Sequence, residues 1–412
     1  MAGLYLHIPF CAKRCIYCDF YSDTRVAYKG DYIRALLREM EIRQADWQNE
    51  PFKTIYFGGG TPSQLHPQEL KKILDAIYRY FPVVTHPEIT LEANPDDLSG
   101  GYIASLTTLP VNRVSIGVQS FDDRELHLLN RRHTAQEAID AVNRCKEAGF
   151  SNIGIDLLFG LPDQSSETWI HSIDKAIELD VPHLSAYNLT YEEGTAIYQM
   201  KQKKEINSVD DDVCAQLYSI LTEKLADAGF VHYEVSNFAR RSVLYPDGRI
   251  SLHNSSYWNG TKYLGLGPSA HSYNKTSRSW NVSDLSEYIA FFKSPIIRKR
   301  PPFRHCERSE AIQNDDIQRI VSDDCPRKDV SETEQLDERA RYNDFVITRL
   351  RTMWGVSLIE LRKKFGKARE NYFLEKAKYL ISLNKLKKVG ENVKVSHKDF
   401  FISDSIIREL IV

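Results

Sequence analysis

The chain has 412 residues, 42% of them hydrophobic and 27% charged, with a formal net charge of -2. That balance gives no global pull toward nucleic acid or an anionic membrane, and the length allows one large α/β unit with a smaller appendage. No apolar run approaches the ~18 residues of a spanning helix and no basic stretch precedes an apolar signal core, so a cytoplasmic protein without a transmembrane segment is expected.

The first predicted strand is LYLHI, and directly after it Cys11, Cys15 and Cys18 form C-x₃-C-x₂-C. Three thiols in eight residues fit neither a closed four-ligand zinc site nor disulfide pairs. The chain's other cysteines, Cys145, Cys214, Cys306 and Cys325, are scattered, as suits a reducing compartment.

Further β-like runs follow in TIYFGGG, EITLEANP, RVSIGVQSF, NIGIDLLFGLP and HLSAYNLT, each succeeded by a helical pattern. In TAQEAIDAVNRCKEAGF, Ala138, Ala141, Val142, Cys145 and Ala148 recur at helical spacing with Gly149 as C-cap, which makes Cys145 a core residue. Cys214 shares a face with Leu217, Leu221 and Leu225 on a helix predicted over about 209–228. Six βα units could build an open doubly wound sheet or an incomplete (β/α)6 barrel. Polar or glycine residues cluster late in the runs, at Gly58-Gly59-Gly60-Thr61, Glu92, Gln119 and Asp156. In parallel α/β folds the carboxyl ends of the strands carry the ligands, so these residues are expected to line one pocket. The glycines are expected to leave main-chain atoms open to a ligand's amino or carboxylate group.

Past residue 230 the pattern loosens through YEVSNFAR and SLHNSSYWNGTKYLGLGPSAHSY to a helix-like SDLSEYIAFF. We divide the chain into a core over 1–230, an extension over 231–297, a charged insertion or linker over 298–335 and a C-terminal cap over 336–412. In the cap, three helical patterns precede two short β-like runs around Gly390 and a last helix, a winged-helix-like order.

An iron-sulfur cube has four irons, so three thiolates leave one iron open to a small chelating ligand. The alternative at this point is a zinc knuckle completed by His7, Asp19 or a distant histidine. The cysteines together with GGGTPS, LEANP, IGVQSFD, LNRRH and IDLLFGLP, in this order, resemble the oxygen-independent coproporphyrinogen III oxidase family of radical S-adenosylmethionine (SAM) proteins. The resemblance implies an incomplete (β/α)6 barrel and a [4Fe-4S] cluster held by Cys11, Cys15 and Cys18. It implies SAM contacts from Tyr5, Gly59, Gly60, Thr61, Glu92, Gln119, Arg131 and Asp156, with Tyr17 against adenine. Taken singly, Gln119 could satisfy backbone groups, Arg131 could be a solvated charge and Asp156 a helix cap.

Two features separate the branches of that family. The oxidases, by resemblance, extend the motif to a fourth cysteine, where this chain has Phe20, and carry a longer segment before the cluster. His253-Asn254-Ser255-Ser256-Tyr257-Trp258 reads H-N-x-x-Y-W, which resembles the heme-binding motif of HemW-type heme chaperones. It implies an axial imidazole from His253 and flat faces from Tyr257 and Trp258. The plain alternative is a loop histidine beside two buried aromatics. The expected function is therefore a heme chaperone that carries the cluster, SAM and heme. Its partners would be acceptor hemoproteins such as those of respiration, with transient membrane contact during delivery and no nucleic acid. No catalytic residue is assigned, and the alternative is a radical SAM oxidative decarboxylase acting on coproporphyrinogen III.

Overall fold

The structure, a computed structural model, describes residues 1–293 and 330–412. Six strand-helix units come first. β1 (Ala2–Ile8) leads to α1 (Lys29–Arg43), β2 (Phe52–Gly59) to α2 (Pro67–Tyr80), and β3 (Val83–Ala93) to α3 (Gly100–Leu106). β4 (Arg113–Gln119) leads to α4 (Asp123–Leu128) and α5 (Ala135–Glu147), β5 (Ile153–Phe159) to α6 (Ser166–Glu178), and β6 (His183–Asn188) to α7 (Ala196–Gln202) and α8 (Asp211–Asp227). All six strands pair in parallel and in chain order. A doubly wound sheet reverses its strand order at a switch point, and this one does not, so the barrel-type arrangement holds.

A hairpin of β7 (Phe230–Glu234) and β8 (Asn237–Arg240) attaches antiparallel to β6 through β8. On the other side of β1, α9 (Leu252–Trp258) precedes β9 (Tyr263–Leu266), which runs parallel to β1. Next come β10 (His271–Tyr273), β11 (Ser277–Asn281), α10 (Leu285–Lys293) and β12 (Ser331–Gln335), the strands adding antiparallel. The twelve-stranded sheet thus runs from β12 to β7 with two edges, an incomplete barrel among the described residues. Of the charged stretch expected over 298–335, most, including Cys306 and Cys325, lies outside the described residues; its end forms β12.

Burial explains why these runs become strands. β1 and β5 are buried at every position but one, as parallel strands covered on both faces must be. The exceptions are Tyr5 and Asp156, and near the end of β3 the same lapse falls on Glu92. The helices follow their patterns too: α5 starts with a capping box between Thr134 and Glu137 and buries Ala138, Ala141, Val142 and Cys145, while α8 buries Cys214, Leu217, Leu221 and Leu225.

The C-terminal unit comprises α11 (Glu338–Leu350), β13 (Val356–Ser357), α12 (Leu358–Ser382), β14 (Leu386–Val389), β15 (Asn392–Val395) and α13 (Ser403–Arg408). α12 breaks at Gly366 (φ 80°), which accounts for two of the three helical patterns. Its three strands form a separate antiparallel sheet in the order β13-β15-β14. No helix among the described residues is long and apolar enough to cross a membrane.

One buried carboxylate ties the extension to the barrel. Glu39 on α1 accepts hydrogen bonds from Asn281 Nδ2 (2.7 Å), the Gly267 amide (2.8 Å) and the Tyr288 hydroxyl (2.6 Å). These partners lie on β11, the turn after β9 and α10. Glu39→Ala would strand all three donors, each worth roughly 1–3 kcal/mol when buried without a partner. We expect a loss of about 2–4 kcal/mol in urea denaturation, and a loss below about 0.5 kcal/mol would contradict this role.

Candidate cluster and cofactor site

The cysteine loop leaves β1 at the carboxyl end of the barrel and is held by backbone hydrogen bonds. The Gly60 amide donates to Ile8 O and the Thr61 amide to Phe10 O, both at 2.8 Å, and the Cys11 amide donates to Asp23 O at 3.0 Å. A Cβ on Gly60 would stand 2.8 Å from the Pro9 carbonyl, and one on Gly59 2.8 Å from the His7 ring. The expectation that the glycines leave main-chain atoms open to a ligand is corrected at Gly60, whose amide is spent on Ile8 O, and the room of the missing side chains is taken by the His7 ring of β1 and the Pro9 carbonyl. Thr61 adds a side-chain hydrogen bond of 3.3 Å to Cys11 Sγ.

All three motif thiols are free, Cys11 buried and Cys15 and Cys18 partly so. Burial raises the thiol pKa of Cys11; burial and the neighbouring thiolates push that of Cys18 up to about 11 despite a backbone hydrogen bond from Phe20. Metal binding must therefore displace protons here. Among the described residues no three His, Cys, Asp or Glu side chains gather closely enough to hold one metal ion. A cube takes one thiolate per iron, so its ligands stand apart instead of converging on a point. Three free thiols in one loop, two of them partly exposed, supply a donor set of the kind a cluster with one thiolate per iron takes.

Around the loop, the expected residues come together. Arg131 donates from Nη1 to Cys15 Sγ (3.4 Å) and from Nη2 to Asn94 Oδ1 (2.7 Å) and Gly117 O (2.6 Å), while its buried Nε has no partner. An orphaned guanidinium N–H beside a thiol is a ready donor for a ligand carboxylate. Gln119, at the end of β4, holds φ 71° where the β4-β5 pairing shifts. That left-handed backbone costs a non-glycine residue roughly 1–3 kcal/mol, strain of the kind concentrated at ligand sites. Tyr17 packs with Ile16 against Leu129, Leu158, Leu161, Leu189 and Ile197 beneath the loop. Glu92 accepts a hydrogen bond from the Tyr56 hydroxyl (2.6 Å), and burial followed by repulsion from Asp156 leaves its carboxyl at about 7. Asp156 is likewise raised by burial, though Ser185, Arg113 and Ser115 oppose the shift.

His253 lies on a helix, not in a loop. Glu88 accepts the amides of Leu252 (3.0 Å) and His253 (2.9 Å), fixing the start of α9 against the barrel. The imidazole is 1% exposed, with Nδ1 2.8 Å from Thr54 Oγ1 and Nε2 2.9 Å from the Tyr257 hydroxyl. Burial lowers its pKa to about 3, so the ring is neutral. It stacks on Tyr56 (4.8 Å between centroids) and Tyr5 (6.4 Å), and Tyr56 in turn reaches Glu92. His253 of the heme motif and two of the residues expected around SAM, Tyr5 and Glu92, are therefore connected through Tyr56. Tyr257 touches His253 through its hydroxyl and, with Trp258, also lines a cavity shared with α11 and α12.

The Radical SAM superfamily model matches residues 5–176. A Bacillus subtilis protein named heme chaperone HemW is 33% identical over 408 residues, which is 98% of each chain. The chain belongs to the HemW family of radical SAM proteins. Another member, from Mycobacterium tuberculosis, is 37% identical over 290 residues, 69% of this chain and 73% of its own. Coproporphyrinogen III oxidase (HemN) of Escherichia coli, a radical SAM enzyme, covers 100% of this chain with 90% of its own at a TM-score of 0.77 and 21% identity, a likeness of fold.

Sequence reasoning missed Asn94, which anchors Arg131, although it stands within LEANP. It also missed Arg113, buried at the start of β4 with Nη2 3.3 Å from His183 Nδ1 and with Nε and Nη1 unpartnered. An arginine at a strand's first position reads as a boundary, so only the fold reveals it.

Two substitutions probe this geometry. Gly60→Ala must move the Pro9 backbone, so we expect a loss of about 1–3 kcal/mol in urea denaturation together with reduced iron and sulfide on anaerobic reconstitution; full stability would contradict the clamp. For Glu92, the carboxyl ionises near 4.5 in the unfolded chain but near 7 in the folded one. Between those values the unfolded state binds fewer protons, so this group's contribution falls as pH rises. Glu92→Gln removes that term, and the metal-free variant should gain stability relative to wild type from pH 5 to pH 8, by less than about 1.4 kcal/mol per pH unit because one carboxyl exchanges at most one proton. A difference that stays flat or shrinks contradicts the assignment.

Proposed function

We propose that this protein is a cytoplasmic heme chaperone: it carries a [4Fe-4S] cluster and SAM, binds heme and passes it to acceptor hemoproteins, those of respiration among them. The observation that carries the reading is the H-N-x-x-Y-W sequence in a chain that aligns over 98% of the length of a protein named heme chaperone HemW. Phe20, at the position of the fourth cysteine expected of the oxidases, counts against decarboxylase activity.

In this reading Cys11, Cys15 and Cys18 each take one iron, and the cluster's open iron supplies a chelation point for the amino and carboxylate groups of SAM. Arg131 pairs with the carboxylate through its orphaned Nε. Glu92 and Asp156 accept hydrogen bonds from ribose hydroxyls or the ammonium. Tyr17 lies against adenine, and Tyr5, Gly59, Gly60, Thr61 and Gln119 shape the remaining wall. Iron ligation by His253 requires that Tyr257 give up its hydrogen bond to Nε2. His253 also stacks on Tyr56, whose hydroxyl donates to Glu92, so a ligand on His253 would sit two side chains from the carboxylate proposed to face SAM.

The test is a heme titration of wild type and His253→Ala. Wild type should develop a Soret band, and the variant should bind at least about tenfold more weakly, equivalent to ~1.4 kcal/mol. An unchanged band removes His253 as ligand. Formation of protoporphyrinogen from coproporphyrinogen III under reductant and SAM would replace the chaperone reading with the oxidase.

A further inference from the structure

A cavity of about 390 Å³ opens between the far end of α9, the β10-β11 hairpin and the C-terminal unit, within the ~300–1,000 Å³ usual for small-molecule sites. Its walls are aromatic on both sides. Tyr257, Trp258, Tyr263 and Tyr273 come from the barrel extension, and Phe345 and Phe365 from α11 and α12. Tyr257 meets Tyr263 edge to face at 4.8 Å, and Phe345 lies 5.6 Å from Phe365 between ring centroids. The motif's end is tied to this wall by Arg349, whose Nη1 donates to the Trp258 carbonyl at 3.0 Å.

The charges are one-sided. Lys275, Arg278, Arg341, Arg349 and Lys364 line the cavity against a single carboxylate, Asp344. Arg278 is paired with Asp344 (2.6 Å), while Arg349 and Lys364 share Glu360 just outside (both 2.9 Å). Lys275 and Arg341 are exposed at the rim and have no carboxylate within ion-pair distance among the described residues. Flat apolar walls select a flat apolar ligand, and a surplus of cations at the mouth selects one with anionic groups at its edge.

We infer that this cavity holds a planar tetrapyrrole edge-on, its macrocycle between the aromatic walls and its two carboxylates at Lys275 and Arg341. The inference rests on the heme-binding reading above and deepens it, because it separates two roles within one motif. Tyr257 and Trp258 touch the macrocycle. His253 stands behind Tyr257, with Nε2 on the phenol and not in the cavity, so the site grips the ring and its carboxylates without needing iron. It is a holding site that precedes ligation by His253.

The experiment titrates the full chain with hemin, iron-free protoporphyrin IX and protoporphyrin IX dimethyl ester, followed by quenching of tryptophan fluorescence. Protoporphyrin IX should bind wild type, and the ester should bind on the order of tenfold more weakly, equivalent to ~1.4 kcal/mol. The Lys275→Glu/Arg341→Glu double variant should weaken protoporphyrin IX by a similar factor and abolish the preference over the ester. His253→Ala should alter the hemin spectrum while the preference for protoporphyrin IX over its ester, which is set at Lys275 and Arg341, persists. Hemin binding with no change in the double variant, or an ester that binds wild type as tightly as the acid, overturns the cavity assignment alone. Failure of wild type to bind hemin at all overturns the heme reading with it. The ester comparison needs no variant, so it stands even where the charge reversals disturb folding.

Discussion

Everything at the carboxyl end of this barrel depends on the pairing of β1 with β2 being continued past the ends of both strands. Within the strands His7 is opposite Gly58 and Ile8 opposite Gly59; beyond them the Gly60 and Thr61 amides reach Ile8 and Phe10. The cysteine loop is thus an extension of the sheet rather than a free excursion, and backbone hydrogen bonds, not side chains, set its position. That geometry leaves no room for a Cβ at Gly60, which is why the glycine run follows the second strand and not another. The Cys11 and Cys18 thiols, raised by burial in this position, must give up their protons to bind any metal.

The second organising feature is the stacked trio of Tyr5, Tyr56 and His253 in the bore. Because Tyr56 also donates to Glu92, the carboxylate proposed to face SAM and the imidazole proposed to ligate heme are only one side chain apart. A neutral, doubly hydrogen-bonded imidazole is a stable resting state, since it satisfies both ring nitrogens in a place where an orphaned polar atom is costly. Heme capture through His253 has to compete with that satisfaction. An aromatic cavity on the far side of Tyr257 offers the macrocycle a place to rest before the competition is settled.

The C-terminal unit closes that cavity. α11 and the broken α12 supply two phenylalanines and three of the five cations, so neither the barrel extension nor the C-terminal unit makes the site alone. A second contact binds the unit to the opposite edge of the sheet, where His232 on β7 meets His397 at 3.1 Å, both rings made more acidic by burial. The cavity is therefore an interface whose two halves are held at separate points.

Much of this was determined by the sequence alone. Strict burial on both faces makes a parallel strand an apolar run, so six such runs with helices between them announced a parallel α/β core, and the polar or glycine positions late in the runs, Gly58-Gly59-Gly60-Thr61, Glu92, Gln119 and Asp156, pointed to its lining. The cysteine spacing likewise carried its chemistry locally, because ligand count is a property of a short stretch of chain. Only the tertiary structure chose the sequential barrel over a doubly wound sheet, since strand order depends on long-range pairing that periodicity does not encode. It also placed His253 on a sealed helix, where the plain alternative was a loop: the partners that seal it, Thr54 and Tyr5, come from the first two strands, far away in the chain, and Arg113 and the cation-rimmed cavity were hidden for the same reason.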